Sequence, residues 1–201
     1  MKKILTLAAL VALLTGCAEK NIDQNMNQNK DSVIEAIMTR TSIRQYTDEK
    51  LTDEEIETML KAGMAAPSTC NLQPWRFVVV TDPEVKQAIS NQIKPAGPAA
   101  KAPAVIVVCG DMEATFEPAP DYWTEDCSAV TENILLAAHA MDLGAVWMGV
   151  YPQKERCEFL ADLLGLPTNI KAFGMIAVGH PAEKPAPKEK WDASKVHFEK
   201  W

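Results

Sequence analysis

Ala66-Pro67-Ser68-Thr69-Cys70-Asn71-Leu72-Gln73-Pro74-Trp75 is the stretch on which the reading of this chain turns. Its two prolines fix it as a loop. Between them Ser68, Thr69, Asn71 and Gln73 carry donors and acceptors suited to the polar edge of a flat heterocycle. A plain turn between a helix and a strand accounts for the same residues. On the upstream side, Thr52-Asp53-Glu54-Glu55 has the form of a capping box, and Ile56, Met59 and Leu60 continue a helix toward Ala65. On the downstream side, the β-branched run in 76–81 predicts a strand, and Asp82-Pro83 caps a helix to about Asn91.

The pattern continues outward in both directions. Upstream, apolar Val33, Ile34, Ile37 and Met38 recur at helical spacing over 31–39. Downstream, 104–109 is apolar at every position, which predicts a strand covered on both faces at the centre of a sheet. Val130, Ile134, Leu135, Ala138 and Met141 mark a long buried helix over 122–142, with Gly144 as its stop. A strand over 145–150, a helix over 153–164 and a last strand over 173–178 follow, and the tail from Pro181 is rich in Pro and Lys. Strands alternating with helices predict helices packed on a sheet, in an α/β or α+β arrangement, as one folded domain over 31–201.

The N-terminus carries an address. Lys2 and Lys3 precede an apolar run from Ile4 to Leu14, and Leu14-Thr15-Gly16-Cys17 closes it. Such a run rises only about 16 Å as a helix, roughly half the thickness of a bilayer's hydrocarbon core, so it reads as a signal peptide over 1–16. The closing tetrapeptide resembles the lipobox of bacterial lipoproteins, which makes Cys17 the site of lipidation. It makes 17–30, rich in Asn and Gln, a polar tether from an exported, membrane-anchored protein facing the periplasm or exterior. The chain has 20 basic against 27 acidic side chains, a formal net charge of −7. That balance disfavours nucleic acid as a partner.

Several chemistries lack their residues. There is no G-x-G-x-x-G after a strand, no P-loop, no H-E-x-x-H and no G-x-S-x-G. His139, His180 and His197 lie far apart, and Cys70, Cys109, Cys127 and Cys157 form no C-x-x-C, so no metal site is expected. The even count permits disulfides in an exported protein, although free, mostly buried thiols suit the sequence better. Catalysis then falls to a cofactor, with no catalytic side chain expected.

Two further segments suit a cofactor. Arg40, Ser42 and Arg44 alternate just past the first helix, so an extended backbone points all three the same way, and two guanidinium forks with a hydroxyl suit a phosphate. A solvated charged turn is the competing reading. In Val146-Trp147-Met148-Gly149-Val150-Tyr151, Gly149 lets a planar ring lie close to the backbone.

Together Arg40-Thr41-Ser42-Ile43-Arg44, the loop 66–75, the small-residue strand 144–150, Asn133 to His139 with Leu143-Gly144, and Lys188-Glu189-Lys190 resemble the nitroreductase family of FMN enzymes over essentially 31–201. The resemblance implies an α+β, three-layer sandwich with a central, mostly antiparallel sheet flanked by helices, in a homodimer whose C-terminal tail is exchanged. It implies that Arg40 and the Lys188 and Lys190 region hold the FMN phosphate, supported by Ser42, with Arg44 toward the pyrimidine. Pro67, Ser68, Thr69 and Asn71 come from the opposite subunit, and Trp147, Met148 and Gly149 flank the ring. The implied activity is a ping-pong transfer from a reduced donor such as NAD(P)H to a nitroaromatic, quinone or activated alkene, with a lid over about 93–122. A dehalogenase-like reaction, a membrane-tethered electron-transfer role and a flavin-free binding lipoprotein are the alternatives. Many relatives carry an acidic residue where Met148 stands, and Cys70 is unusual in the loop.

Overall fold

The computed structural model describes residues 32–201. The leader, Cys17 and the tether lie outside the described residues. The chain divides into two units, Met1–Thr39 and Arg40–Trp201. Of the first, the helix α1 over 32–39 is described. Within it Thr39 Oγ1 donates to the Glu35 carbonyl at 2.6 Å, and Val33, Ile34, Ile37 and Met38 are each more than half exposed.

The second unit is built as its caps dictate. Helix α2 (Asp53–Met64) starts at Thr52, whose hydroxyl accepts from Glu55 N–H while the Glu55 carboxylate accepts from Thr52 N–H, the reciprocal capping box. Strand β1 (Trp75–Val80) follows, then α3 (Pro83–Gln92), where Asp82 accepts from the amides of Glu84 and Val85. A short helix α4 (Gly97–Lys101), which the sequence pattern gave no sign of, leads into β2 (Ala104–Asp111). The carbonyls of the two residues that join them are met by the buried Lys86 ammonium, 2.7 Å from Ala102 O and 3.0 Å from Pro103 O. Helix α5 (Trp123–Ala140), β3 (Gly144–Gly149), α6 (Lys154–Leu164) and β4 (Ile170–Gly179) complete the unit.

Gly144 does not stop α5. The left-handed residue there is Asp142, with φ 59°, and Leu143 N–H closes the turn on Ala138 O at 2.8 Å. Gly144 opens β3 instead, and it is glycine because a Cβ there would lie 2.5 Å from Ile43 Cγ2.

The sheet order is β1-β2-β4-β3, and every neighbouring pair is antiparallel. Strand β2 is buried over seven consecutive residues, so it occupies an inner position beside β4, leaving β1 and β3 as the edges. Met59, Trp75, Ile106, Val108, Trp123, Val130, Ile134 and Ile176 fill the layer between the sheet and α2 with α5. Ile89, Val105, Val107, Met148, Leu160 and Met175 fill the layer on the other face, under α3 and α6. The architecture is the expected α+β three-layer sandwich. No helix among the described residues is long and apolar enough to cross a membrane.

Candidate functional site

The segment after Thr39 is laid along the free edge of β3. Ser42 forms a parallel bridge with Ala145, and Ile43 N–H donates to Ala145 O at 3.0 Å. Extended alternation turns Ile43 into the core and leaves Ser42 and Arg44 outward. Tyr46 locks the segment further: its hydroxyl lies 2.6 Å from Ile43 O and 3.1 Å from Ala177 O, and burial pushes that phenol well above its usual range. Glu183 in the tail accepts from the backbone amides of Arg44, at 2.5 Å, and Gln45, at 3.1 Å. The two arginines take different partners. Arg40 Nε pairs with Glu132 Oε1 on α5 at 3.3 Å, and Arg44 Nη1 lies 3.4 Å from Ser42 O.

The loop 66–75 is held under backbone strain. Cys70, Asn71 and Gln73 have φ of 50°, 57° and 52°, left-handed conformations that cost of order 1–3 kcal/mol each for such residues. They persist because the surroundings over-determine them. Ser68 Oγ accepts from Gln73 N–H at 3.0 Å, and Asn71 N–H donates to Ser68 O at 3.0 Å. Beneath the loop the Asp126 carboxylate, only 6% exposed, accepts from Thr69 N–H at 2.7 Å and from Thr69 Oγ1 at 3.2 Å. Pro67, Cys70 and Asn71 are left on the surface. All four described cysteines are free thiols; burial pushes Cys109 up to about 12, and Cys127 and Cys157 also upward, so these three are poor nucleophiles.

On β3 the residues divide by face. Trp147 is 37% exposed and lies over Gly174 of β4, where a Cβ would meet its Nε1 at 2.7 Å. Gly149 is exposed, and beyond its own chain neighbours no heavy atom lies within 4 Å of the place its Cβ would take. Arg156 Nη1 donates to Gly149 O at 2.9 Å. Met148 does not share this face. Its side chain is buried among Val146, Val150 and Met175 on the opposite side of the sheet, so only its backbone is available beside Trp147 and Gly149.

Lys188 and Lys190 are exposed in the tail, and neither has an ion pair among the described residues. Past Glu183 the tail's hydrogen bonds are local. The structure therefore lays the 40–46 segment against Ala145 at the start of β3, the strand that also carries Trp147 and Gly149, whereas the 66–75 loop leads into the other edge of the sheet. That loop leads into β1, and β1 and β3 are opposite edges, three strand spacings or roughly 14 Å apart.

A family model described as the nitroreductase family matches residues 37–121 and 97–180. The chain belongs to this family. It is 42% identical over 174 residues to a Methanothermobacter thermautotrophicus protein named "Putative NADH dehydrogenase/NAD(P)H nitroreductase", covering 86% of this chain and 90% of the relative. A crystal structure of a protein of that name from Bacteroides thetaiotaomicron matches with a TM-score of 0.80 at 40% identity, over 84% of this chain and 98% of that one. An FMN-dependent nitroreductase from Clostridium difficile matches with a TM-score of 0.77 at 29% identity, over 84% and 99%.

In this nitroreductase-family chain the donor set suits a phosphate-tailed flat ring. Arg40 is held by Glu132 through Nε, and Gly149 keeps a surface clear of side-chain atoms. The residues that set these positions, Asp126, Glu132, Arg156 and Glu183, were not singled out in the sequence. Thr69 and Asp126 are 57 residues apart, and Arg44 and Glu183 are 139 apart. One signal was present: Asp126 adjoins Cys127 and lies one helical turn before Val130, on the apolar stripe of α5, and a carboxylate there must be paired.

Replacing Asp126 with Ala strands the Thr69 amide. The expected cost is about 1–3 kcal/mol. Hydrogen exchange should show Thr69 to Gln73 losing protection while β2 and β4 keep theirs; unchanged exchange at Thr69 would show that the loop does not depend on Asp126.

Proposed function

We propose that two copies of this chain hold FMN between them and pass electrons from NAD(P)H to a small flat acceptor, a nitroaromatic, quinone or activated alkene, in successive half-reactions. The enzyme class is that of the relatives, which include FMN reductases and NAD(P)H nitroreductases. The observation that supports the two-chain arrangement is the split described above: the basic segment is bridged to β3, the strand that carries the clear Gly149 position, while the strained polar loop enters β1 at the opposite edge. A second copy supplies the missing half.

In this reading Arg40 directs its fork at the phosphate, with the Ser42 hydroxyl and the partner-wrapping tail lysines, Lys188 and Lys190, beside it. Arg44 lies toward the pyrimidine. Pro67, Ser68, Thr69 and Asn71 approach from the other subunit, and Trp147 and Gly149 flank the ring with the Met148 backbone. Bound FMN supplies the two-electron chemistry, so the side chains orient and shield and none acts as an essential acid or base. The dimer also accounts for surface that a single chain leaves open. Val33, Ile34, Ile37 and Met38 on α1, and Trp191, Phe198 and Trp201 in the tail, are all large exposed apolar groups. We further propose that Cys17 carries a lipid anchor and that the polar stretch after it tethers the enzyme to a membrane.

Arg40→Ala should weaken FMN binding by about 10–100-fold, the equivalent of roughly 1.5–3 kcal/mol for hydrogen bonds to a charged group. Titrating FMN into flavin-stripped protein and following flavin fluorescence reads this directly, with the exposed Lys154→Ala as a control. An unchanged dissociation constant removes Arg40 from the site. Expressed with its leader, a Cys17→Ser protein should move from the membrane to the soluble fraction; continued membrane retention would show a different anchor.

A further inference from the structure

The free edge of β3 is met by two different groups. Ala145 and Gly149 lie four residues apart on this strand, so their carbonyls leave it on the same side, away from β4. Ala145 O accepts from Ile43 N–H at 3.0 Å, and Gly149 O accepts from Arg156 Nη1 at 2.9 Å. Arg156 stands in the first turn of α6 and is partly buried. None of its atoms comes within 4 Å of the place a Gly149 Cβ would take. The guanidinium therefore sits at the strand edge and leaves the clear face of Gly149 open.

The charge held there is not neutralised locally. Arg156 makes no ion pair among the described residues. Lys94 and Glu155, the two other charged residues that line a cavity with it, are of opposite sign and offset one another. The Gly149 carbonyl is a neutral partner, which directs a guanidinium without cancelling its charge. The backbone on either side of Gly149 is fixed by an aromatic cluster. Trp147 meets Phe173 with centroids 5.7 Å apart, Phe173 meets Trp123 edge-on at 5.8 Å, and Trp123 meets Tyr151 edge-on at 5.0 Å, while Tyr151 N–H donates to Phe173 O at 2.9 Å. One uncompensated cation is thus held in place beside the position that the proposed function gives to the flavin ring.

A flavin ring that has taken two electrons and one proton from a reduced donor carries one more negative charge than the oxidised ring. A cation nearby stabilises that state over the oxidised one. Resting on the function proposed above, we propose that Arg156 is a positioning residue that holds the Gly149 carbonyl and, through its charge, makes bound FMN easier to reduce. The charge performs this second role, and the hydrogen bond alone does not.

The test measures the two-electron midpoint potential of bound FMN, and the dissociation constant of oxidised FMN, in wild type, Arg156→Gln, Arg156→Lys and Lys154→Gln. Arg156→Gln keeps a donor and loses the charge. It should bind oxidised FMN as wild type does and reduced FMN about tenfold more weakly, the low end of what one nearby opposite charge does to a proton equilibrium, and its potential should fall by about 30 mV. Arg156→Lys keeps the charge and should stay near the wild-type potential. Lys154→Gln, on the same turn but paired with Glu158 at 3.5 Å, should not move it. An unchanged potential in Arg156→Gln overturns the proposal, as does an equal fall in Arg156→Lys or in Lys154→Gln, or a loss of affinity for oxidised and reduced FMN by the same factor. Should Arg156→Gln fold poorly, Arg156→Met, which keeps the apolar stem without the charge, is expected to show the same fall. A wild type that takes up no FMN faults the flavin reading and this proposal with it, whereas FMN-loaded proteins whose potentials all agree fault the role of Arg156 alone.

Discussion

A strand that is apolar along its whole length can be satisfied only inside a sheet covered on both faces, and Ala104 to Cys109 is such a strand. Its place beside β4 sends β1 and β3 to opposite edges. The loop that enters β1 and the basic segment that runs along β3 are therefore separated by the width of the sheet. Both carry polar groups suited to one ligand, and neither is a site alone. In the two-chain arrangement proposed above, the burial of this one strand is what sets the two halves apart.

Helix α5 sets the spacing between the two halves. Trp123 backs the aromatic cluster, Asp126 holds Thr69, Glu132 holds Arg40, and Asn133 Nδ2 donates to Ala62 O at the end of α2. Asp126 and Glu132 are six residues apart, about 9 Å along the axis. One rigid helix thus fixes both a strained loop and a cation. The strain in Cys70, Asn71 and Gln73 is stored where the anchoring carboxylate is most buried, which is where a low effective dielectric makes its hydrogen bonds strongest.

Local chemistry was legible in the sequence and long-range pairing was not. The Thr52 capping box, the Asp82 cap and the all-apolar strand each rest on residues within a few positions of one another, and each is found where the pattern places it. The departure at the end of α5 has such an origin: Gly144 reads as a helix stop because the sequence does not show that Ile43 presses on it. Nor does the sequence show that strand alternation turns the Met148 side chain inward and leaves only its backbone on the open face. Glu183 and Glu132 were invisible for a related reason: a surface carboxylate acquires meaning only when the fold brings an amide or a guanidinium to it.

The proposed function needs a flavin shared by two chains, and one measurement addresses both parts. Size-exclusion chromatography with light scattering, recorded with absorbance near 450 nm on protein beginning at Asp31 and supplied with FMN, gives particle mass and flavin content together. The expected particle has two chains and carries one FMN per chain. A single-chain particle with full flavin, or a two-chain particle that stays colourless, contradicts it.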